Sequence, residues 1–163
     1  MMPDWIPLVL AGAAGLTLLV AAACDIRRFE IPDSLSVILL VLAVGYGLTQ
    51  PDFPWLWHGA SLLVMFAAGA GLFALGWMGG GDIKLLTAAA AWTTLKGLPM
   101  MLAGVMVAGG ILAALLLVGR AVARRSGRPT DSLPGPLRDG APLPYAIAIA
   151  GGIFWWAWRT WPI

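Results

Sequence analysis

Two aspartates, Asp25 and Asp82, lie where long apolar runs meet charged residues. Asp25 ends one such run and is followed by the basic pair Arg27 and Arg28, whereas Asp82 follows a glycine triplet. Carboxylates at membrane depth are costly and are usually kept for function. Two carboxyls that share a proton can hydrolyse a peptide bond, because one activates water while the other protonates the carbonyl oxygen. The two acids therefore indicate aspartyl protease chemistry, provided that both reach the same membrane face.

The composition is that of an integral membrane protein. Of 163 residues, 60% are hydrophobic and 11% are charged, and the mean hydropathy is +0.87. Apolar runs long enough to cross a bilayer recur along the chain. The net charge of +2 is small, and the basic residues flank apolar runs, so nucleic acid is not expected as a partner. The single cysteine, Cys24, excludes an internal disulfide and a cysteine-rich zinc site, and we expect neither metal nor cofactor.

The apolar pattern predicts an all-α integral membrane protein with six transmembrane helices. The run from Ile83 to Val118 is too long for one crossing and is divided near Pro99. Asp33 or Ser34 is expected to cap the second helix. The first run lacks a preceding basic region, so we expect it to be a mature span and not a signal peptide. In one transmembrane peptidase domain, 1–163, the predicted spans are about 6–23, 34–48, 56–77, 83–95, 99–118 and 144–158, with a cytoplasmic loop over about 120–140.

The distribution of basic residues predicts the orientation. With six spans, Lys96 and Arg159 fall on one side of the membrane and the other eight basic residues fall on the opposite side. Basic residues are concentrated in cytoplasmic loops, so both termini are expected to be external, and Asp25 and Asp82 to share the cytoplasmic face. The eight basic residues on that face are Arg27, Arg28, Lys84, Arg120, Arg124, Arg125, Arg128 and Arg138.

The residue types alone leave other interpretations open. Asp25 and Asp82 could be ordinary interfacial acids, with their basic neighbours as membrane anchors. The glycine triplet is similar to a phosphate-binding loop, but no Gly-Lys-Ser/Thr follows it. Cys24 adjoins Asp25, yet the single histidine, His58, is predicted at the opposite face, so a Cys–His pair is not expected.

Two runs of sequence add a family resemblance. Asp-x-Arg-x-x-x-Ile-Pro-Asp, at residues 25–33, and Gly-x-Gly-Asp-x-Lys, at residues 79–84, resemble the two signatures of type IV prepilin peptidases. These are inner-membrane aspartyl proteases of the Gly-x-Gly-Asp class. Pro-Tyr-Ala at residues 144–146 resembles their third, weaker motif. The resemblance implies that Asp25 and Asp82 are the catalytic aspartates.

The same resemblance implies roles for three more residues and a substrate. Gly79 and Gly81 would belong to the active-site loop, and Lys84 would support it. The implied activity removes the leader peptide of prepilins or pseudopilins at the cytoplasmic face of the bacterial inner membrane, without a cofactor. The implied partners are that substrate and the lipid bilayer.

The larger members of this family carry a cytoplasmic domain with paired cysteines and also methylate the new N-terminus. The present chain has no such cysteines, so we assign no methyltransferase activity. It resembles the short members of tight-adherence (Flp-type) pilus systems and the archaeal preflagellin peptidases. The rival interpretations are a Gly-x-Gly-Asp protease with another substrate, a non-catalytic membrane subunit and a small proton-coupled transporter. The sequence predicts neither which aspartate is the base nor the oligomeric state.

Overall fold

The computed structural model describes residues 3, 5–126, 133–138 and 140–160. These residues form six α-helices and one short 3-10 helix, Gly135–Leu137, and contain no strand, so the all-α prediction is confirmed for the described part of the chain. The α-helices are α1 (Trp5–Arg28), α2 (Asp33–Thr49), α3 (Trp55–Ala74), α4 (Gly80–Ala90), α5 (Leu98–Arg125) and α6 (Tyr145–Thr160).

The prediction of six full-length spans is not supported. Among the described residues, three helices are long and apolar enough to cross a membrane, namely α1, α3 and α5, while α2 is a shorter apolar helix. The 11 residues of α4 rise only about 17 Å, and the 16 residues of α6 about 24 Å, against a hydrocarbon core of about 30 Å. Helix α4 begins within the glycine triplet, at Gly80, and the turn before Leu98 follows its end at Ala90.

Helix α4 lies at the centre of the bundle. It packs against α2, α3 and α6, while α1 packs against α2 and α6, and α5 lies against α6. More than half of the residues of α4 are buried, whereas α3 and α5 expose large apolar side chains such as Leu63, Phe66 and Leu115. Such apolar outer faces are typical of helices that contact lipid. The buried residues of α4 are Ile83, Leu85, Leu86, Ala88, Ala89 and Ala90.

Helices α3 and α4 run antiparallel, and the start of α3 meets the end of α4. The backbone N–H of Leu95 donates to the Trp57 carbonyl at 3.1 Å, and His58 Nδ1 lies 2.8 Å from the Ala91 carbonyl oxygen. Near the other end of the pair, Gly69 of α3 lies against the side chain of Ile83. The first turn of α4 is therefore at the opposite end of the bundle from His58.

Several helix boundaries differ from the expected ones. Helix α1 continues to Arg28, beyond the predicted end at residue 23, so Asp25 lies within the helix. The basic pair in its last turn favours this extension, because cations stabilise a helix C-terminus. Helix α5 continues to Arg125, so the predicted loop over 120–140 begins later. Of that loop, 127–132 and Asp139 lie outside the described residues.

The expected capping role of Asp33 or Ser34 is wrong. The N-cap position of α2 is Pro32, and no side chain caps the helix there. The carboxylate of Asp33 pairs instead with a residue of α4, as described below.

Candidate active site

Asp25 is held by the first turn of α6. Its side chain is buried, at 6% exposure, and its Oδ2 accepts a hydrogen bond from the backbone N–H of Ala146 at 2.8 Å. The first amides of a helix have no partner within that helix, so the carboxylate of Asp25 satisfies a donor that would otherwise be buried and unpaired. This bond joins the C-terminal end of α1, which is predicted to lie at the cytoplasmic face, to the start of α6.

Asp82 lies in the first turn of α4 and is half-buried. Gly79 is the N-cap residue of that helix, with an extended backbone, and a Cβ at this position would lie 2.9 Å from Asp82 Oδ2. Any side chain at 79 would therefore crowd the carboxylate. Gly81 was expected in a loop, but it lies in the first helical turn. A Cβ there would lie 3.3 Å from Ile31 Cβ.

The structure brings the two acids to one cavity. Asp25 and Asp82 both line a cavity of about 320 Å³ between the ends of α1, α2 and α4. The Asp25 region and the glycine triplet are far apart in sequence, so this meeting depends on the packing of three helices. The remaining lining residues are Phe29, Glu30, Ile31, Asp33, Gly79, Gly80 and Gly81.

The cavity alters the ionisation of Asp82, which lies outside the three helices long enough to cross a membrane. Burial and, after it, the charge of Asp25 raise its pKa from 3.8 to about 6, against the opposing effect of a backbone hydrogen bond with Gly79. Burial disfavours a charged carboxylate, and a second negative charge nearby adds to that effect. Asp82 therefore holds a proton at a pH where an ordinary aspartate has lost it.

Lys84 forms an ion pair that joins the two sequence motifs. Its Nζ lies 2.6 Å from Asp33 Oδ2, and both side chains are mostly exposed. The bond joins the start of α2 to the first turns of α4 on the rim of the cavity. Sequence analysis placed Lys84 at a supporting position but missed Asp33 as its partner. Asp33 and Lys84 each belong to one of the two sequence motifs, and that placement was the available indication of their pairing.

Phe29 is a second residue that sequence analysis missed. It is the only described residue other than glycine with a positive φ, at 54°, a conformation that is uncommon for a bulky side chain. Its N–H donates to the Asp25 carbonyl at 2.9 Å, and its ring faces Gly135 at the start of the 3-10 helix. Arg120 anchors that segment by donating to the carbonyls of Pro136 and Ala141. Nothing in the sequence around Phe29 indicated this packing.

Other reactive side chains do not join the pair. Cys24 is a half-buried free thiol on α1, and His58 lies at the other end of α4, near Ala91. Among the described residues, no group of three or more His, Cys, Asp or Glu side chains could hold a metal ion.

These features define an all-helical membrane protein with two acids in one cavity at one end of the bundle. The type IV leader peptidase family matches residues 12–114, which include both Asp25 and Asp82. The match covers more than half of the chain, and the chain belongs to this family of peptidases. The start of α6, which contacts Asp25, lies beyond the matched segment. No curated protein and no solved structure matches the chain.

Proposed function

We propose that this peptidase is an aspartyl endopeptidase and that Asp25 and Asp82 are its catalytic pair. Its proposed substrates are prepilins or pseudopilins, from which it removes the leader peptide at the cytoplasmic face of the bacterial inner membrane. The observation that supports this most directly is the single cavity that both acids line, at the meeting point of three helices.

The environment of the pair suits hydrolysis without a covalent intermediate. One ionised carboxylate is needed to take a proton from water, and one protonated carboxyl is needed to donate to the carbonyl oxygen of the scissile bond. Two acids in one cavity ionise as a coupled pair, because the first charge opposes the second. The raised pKa of Asp82, about 6, supports a singly protonated pair at mildly acidic pH, up to about pH 6.

The charges at the two ends of the bundle support the proposed orientation. Of the described basic residues, Lys96 and Arg159 lie at the His58 end, and the others lie near the acids or on the adjoining segments of α5 and the loop. We place the acid end in the cytoplasm and both termini outside. In this arrangement all six helices are embedded, and the first turn of α4, which carries Asp82, lies at the cytoplasmic edge outside the hydrocarbon core. The short α4 is tolerated because α2, α3 and α6 surround it, so protein and not lipid covers most of this helix.

The proposal predicts that each catalytic acid is indispensable. Asp25→Asn and Asp82→Asn keep the size of the side chain but cannot exchange a proton, and each is expected to lower cleavage by about 10²–10⁴-fold. Because the two acids act as one unit, the double variant should be little worse than either single one. The measurement is leader removal from a co-expressed prepilin of the same genome, scored by gel shift and by the new N-terminus.

The matched control is Asp52→Asn, which removes an exposed acid in the turn between α2 and α3. Asp52 lines the cavity at the opposite end of the bundle from the two catalytic acids. It should cleave normally, as should Cys24→Ser and the wild-type protein in a chelator. Full processing by either Asp25→Asn or Asp82→Asn would favour the non-catalytic subunit or the transporter. Loss of activity on chelation, restored by zinc, would contradict the aspartyl mechanism. A protein that cleaves another membrane protein but leaves every prepilin intact would favour a Gly-x-Gly-Asp protease with another substrate.

A further inference from the structure

We propose that Arg120, on α5, is a positioning residue for peptide cleavage, because it holds the segment before α6 against Phe29 and thereby fixes one wall of the catalytic cavity. Phe29 lines that cavity together with the two acids, whereas Arg120 does not. The described parts of the segment are 133–138 and 140–144. This role rests on the proposed function, because a positioning residue presupposes a reaction in the cavity. It gives a part of the chain outside the family match an influence on the rate.

Phe29 is the point at which the chain turns from one acid towards the other. Its N–H donates to the Asp25 carbonyl at 2.9 Å and closes the last turn of α1. Two residues later, Ile31 lies against Gly81, where a Cβ would be 3.3 Å from Ile31 Cβ. Gly81 in turn adjoins Asp82. The conformation of Phe29 therefore directs the connection that packs against the start of α4.

That conformation is not one that phenylalanine adopts readily. The φ of Phe29 is 54°, in the left-handed region, which costs free energy for a bulky residue and persists only where the surrounding structure enforces it. The ring provides that constraint, because it lies over Gly135, where a Cβ would be 3.4 Å from Phe29 Cε2. Gly135 begins the 3-10 helix, which contacts both α5 and α1.

Arg120 fixes this 3-10 helix to α5. Its Nη2 donates to the Pro136 carbonyl at 2.7 Å and to the Ala141 carbonyl at 2.9 Å, and its Nε also donates to Pro136. A guanidinium presents its donors in a rigid plane, so this half-buried side chain holds the segment at two points. Beside it, a Cβ at Gly119 would be 2.9 Å from Leu137 Cδ2. Contacts therefore run without a break from α5 through the 3-10 helix to the cavity wall.

The test measures prepilin cleavage by purified full-length variants in lipid vesicles, with kcat per folded protein and KM determined separately. Arg120→Met removes the donors and is expected to lower kcat by about 10-fold with little change in KM, because small displacements of reacting groups reduce the rate. Arg120→Lys keeps a cationic donor and should recover part of the lost kcat. An unchanged kcat in Arg120→Met, or a rise in KM alone, would overturn the positioning role.

The matched control is Arg125→Met. Arg125 lies in the last turn of the same helix and is exposed, so its replacement removes the same charge from the same end of the bundle. We expect wild-type kcat and KM. An equal loss of kcat in Arg120→Met and Arg125→Met would show that positive charge matters there, and not the contacts of Arg120 with the segment.

A second set of variants tests whether Arg120 acts through Phe29. Phe29→Gly removes the ring, and glycine accepts a positive φ without strain, so the backbone of this variant is not opposed in folding. It should lose about as much kcat as Arg120→Met, and the double variant should be no worse than either single one. Additive losses, or a Phe29→Gly enzyme as fast as wild type, would overturn the link between the two residues.

Hydrogen exchange measures the hold on the segment without reference to activity. The amides of Leu137 and Arg138 donate to carbonyls within the segment, and they should exchange faster in Arg120→Met than in wild type or Arg125→Met. Equal exchange in the three proteins would show that Arg120 does not hold the segment. If wild type cleaves no prepilin, the proposed function fails and the positioning role with it, whereas wild-type cleavage with a normal kcat in Arg120→Met contradicts the role of Arg120 alone.

Discussion

Asp82 lies half-buried in the first turn of α4, beside a second carboxylate, so its ionisation opposes folding. Its pKa is raised from 3.8 to about 6 by burial and by the charge of Asp25. The same two causes that prepare an acid for proton donation therefore reduce stability once that proton is lost. Function and stability make opposing demands on this residue.

This conflict predicts a pH dependence of stability. Between about pH 4 and 6 the unfolded chain has released the Asp82 proton while the folded protein retains it, so raising the pH favours the unfolded state. The stabilisation that the Asp82 proton gives to the folded state is lost progressively as the pH passes through the folded-state pKa of about 6. The Tm in detergent should therefore fall between about pH 4 and 7 more steeply in wild type than in Asp82→Asn.

The control for this measurement is Asp52→Asn, an exposed acid remote from the cavity, which should follow wild type. Parallel curves for wild type and Asp82→Asn would show that Asp82 ionises as freely as an exposed aspartate and would remove the basis for a proton held up to about pH 6.

At the scale of the helices, α2 and α4 are joined across the cavity rim by Asp33 and Lys84. Their 2.6 Å contact is exposed, so its effect on stability should be below about 1 kcal/mol. Its effect on activity is expected to be larger, because the bond fixes the start of α2 relative to the turn that carries Asp82, and small displacements of a reacting group reduce the rate strongly.

The prediction is that Asp33→Asn and Lys84→Met each lower cleavage by about 10-fold, and that the double variant is no worse than either single one. The charge-reversed pair, Asp33→Lys with Lys84→Asp, should recover part of the activity. Cleavage and Tm are to be measured together. Additive losses in the double variant, or no recovery by the reversed pair, would show that the two side chains act separately.

Helices α5 and α6 approach each other through glycine. A methyl group at Gly152 would overlap the backbone of Val105, and a Cβ at Gly104 would lie 2.8 Å from the Gly152 carbonyl oxygen. Small residues allow this kind of close helix contact in membranes. The contact matters for the site because α6 carries the amide that binds Asp25.

We expect Gly152→Ala to destabilise the protein by about 1–3 kcal/mol through overpacking, and to weaken cleavage by displacing α6. The neighbouring Gly151→Ala is the control, because its Cβ would meet Ala108 Cβ at an ordinary 3.5 Å. It should be neutral or stabilise by up to about 1 kcal/mol, since alanine is the better helix former. Equal effects of the two substitutions on Tm would contradict the close α5–α6 contact.

At the scale of the whole molecule, the two ends of the bundle have different chemistry. The acid cavity and most basic side chains lie at one end. The other end has an aromatic-lined cavity of about 570 Å³ with Tyr46, Phe53 and Trp92 among its lining residues. Aromatic residues favour membrane interfaces, and basic residues favour the cytoplasmic side.

This polarity predicts the topology. Reporter fusions after Ser126, at the end of α5, should report a cytoplasmic position, and fusions after Gln50, between α2 and α3, an external one. The two sites differ in the number of helices that precede them, so the pair tests the embedding of the short α4 as well. A cytoplasmic result at both sites would contradict the proposed arrangement and the shared cytoplasmic position of the acids.

The sequence by itself determined the class of the protein, the approximate position of each helix and the two acids. Those features depend on local properties, namely apolar runs, glycine and proline breaks, and charges next to them. The number of full-length spans was wrong, because the ends of α4 depend on contacts with α3 such as that between Leu95 and Trp57, which hydropathy does not encode.

Only the tertiary structure decided which groups surround the acids. The amide of Ala146 is 121 positions from Asp25, and Lys84 is 51 positions from Asp33. Such partners depend on the register in which separate helices pack, and no local pattern fixes that register. The spacing of apolar runs and charges in the sequence predicts that the two carboxylates lie at one end of the bundle. The burial and hydrogen bonds of Asp25 and Asp82 exist only once α1, α2, α4 and α6 have assembled.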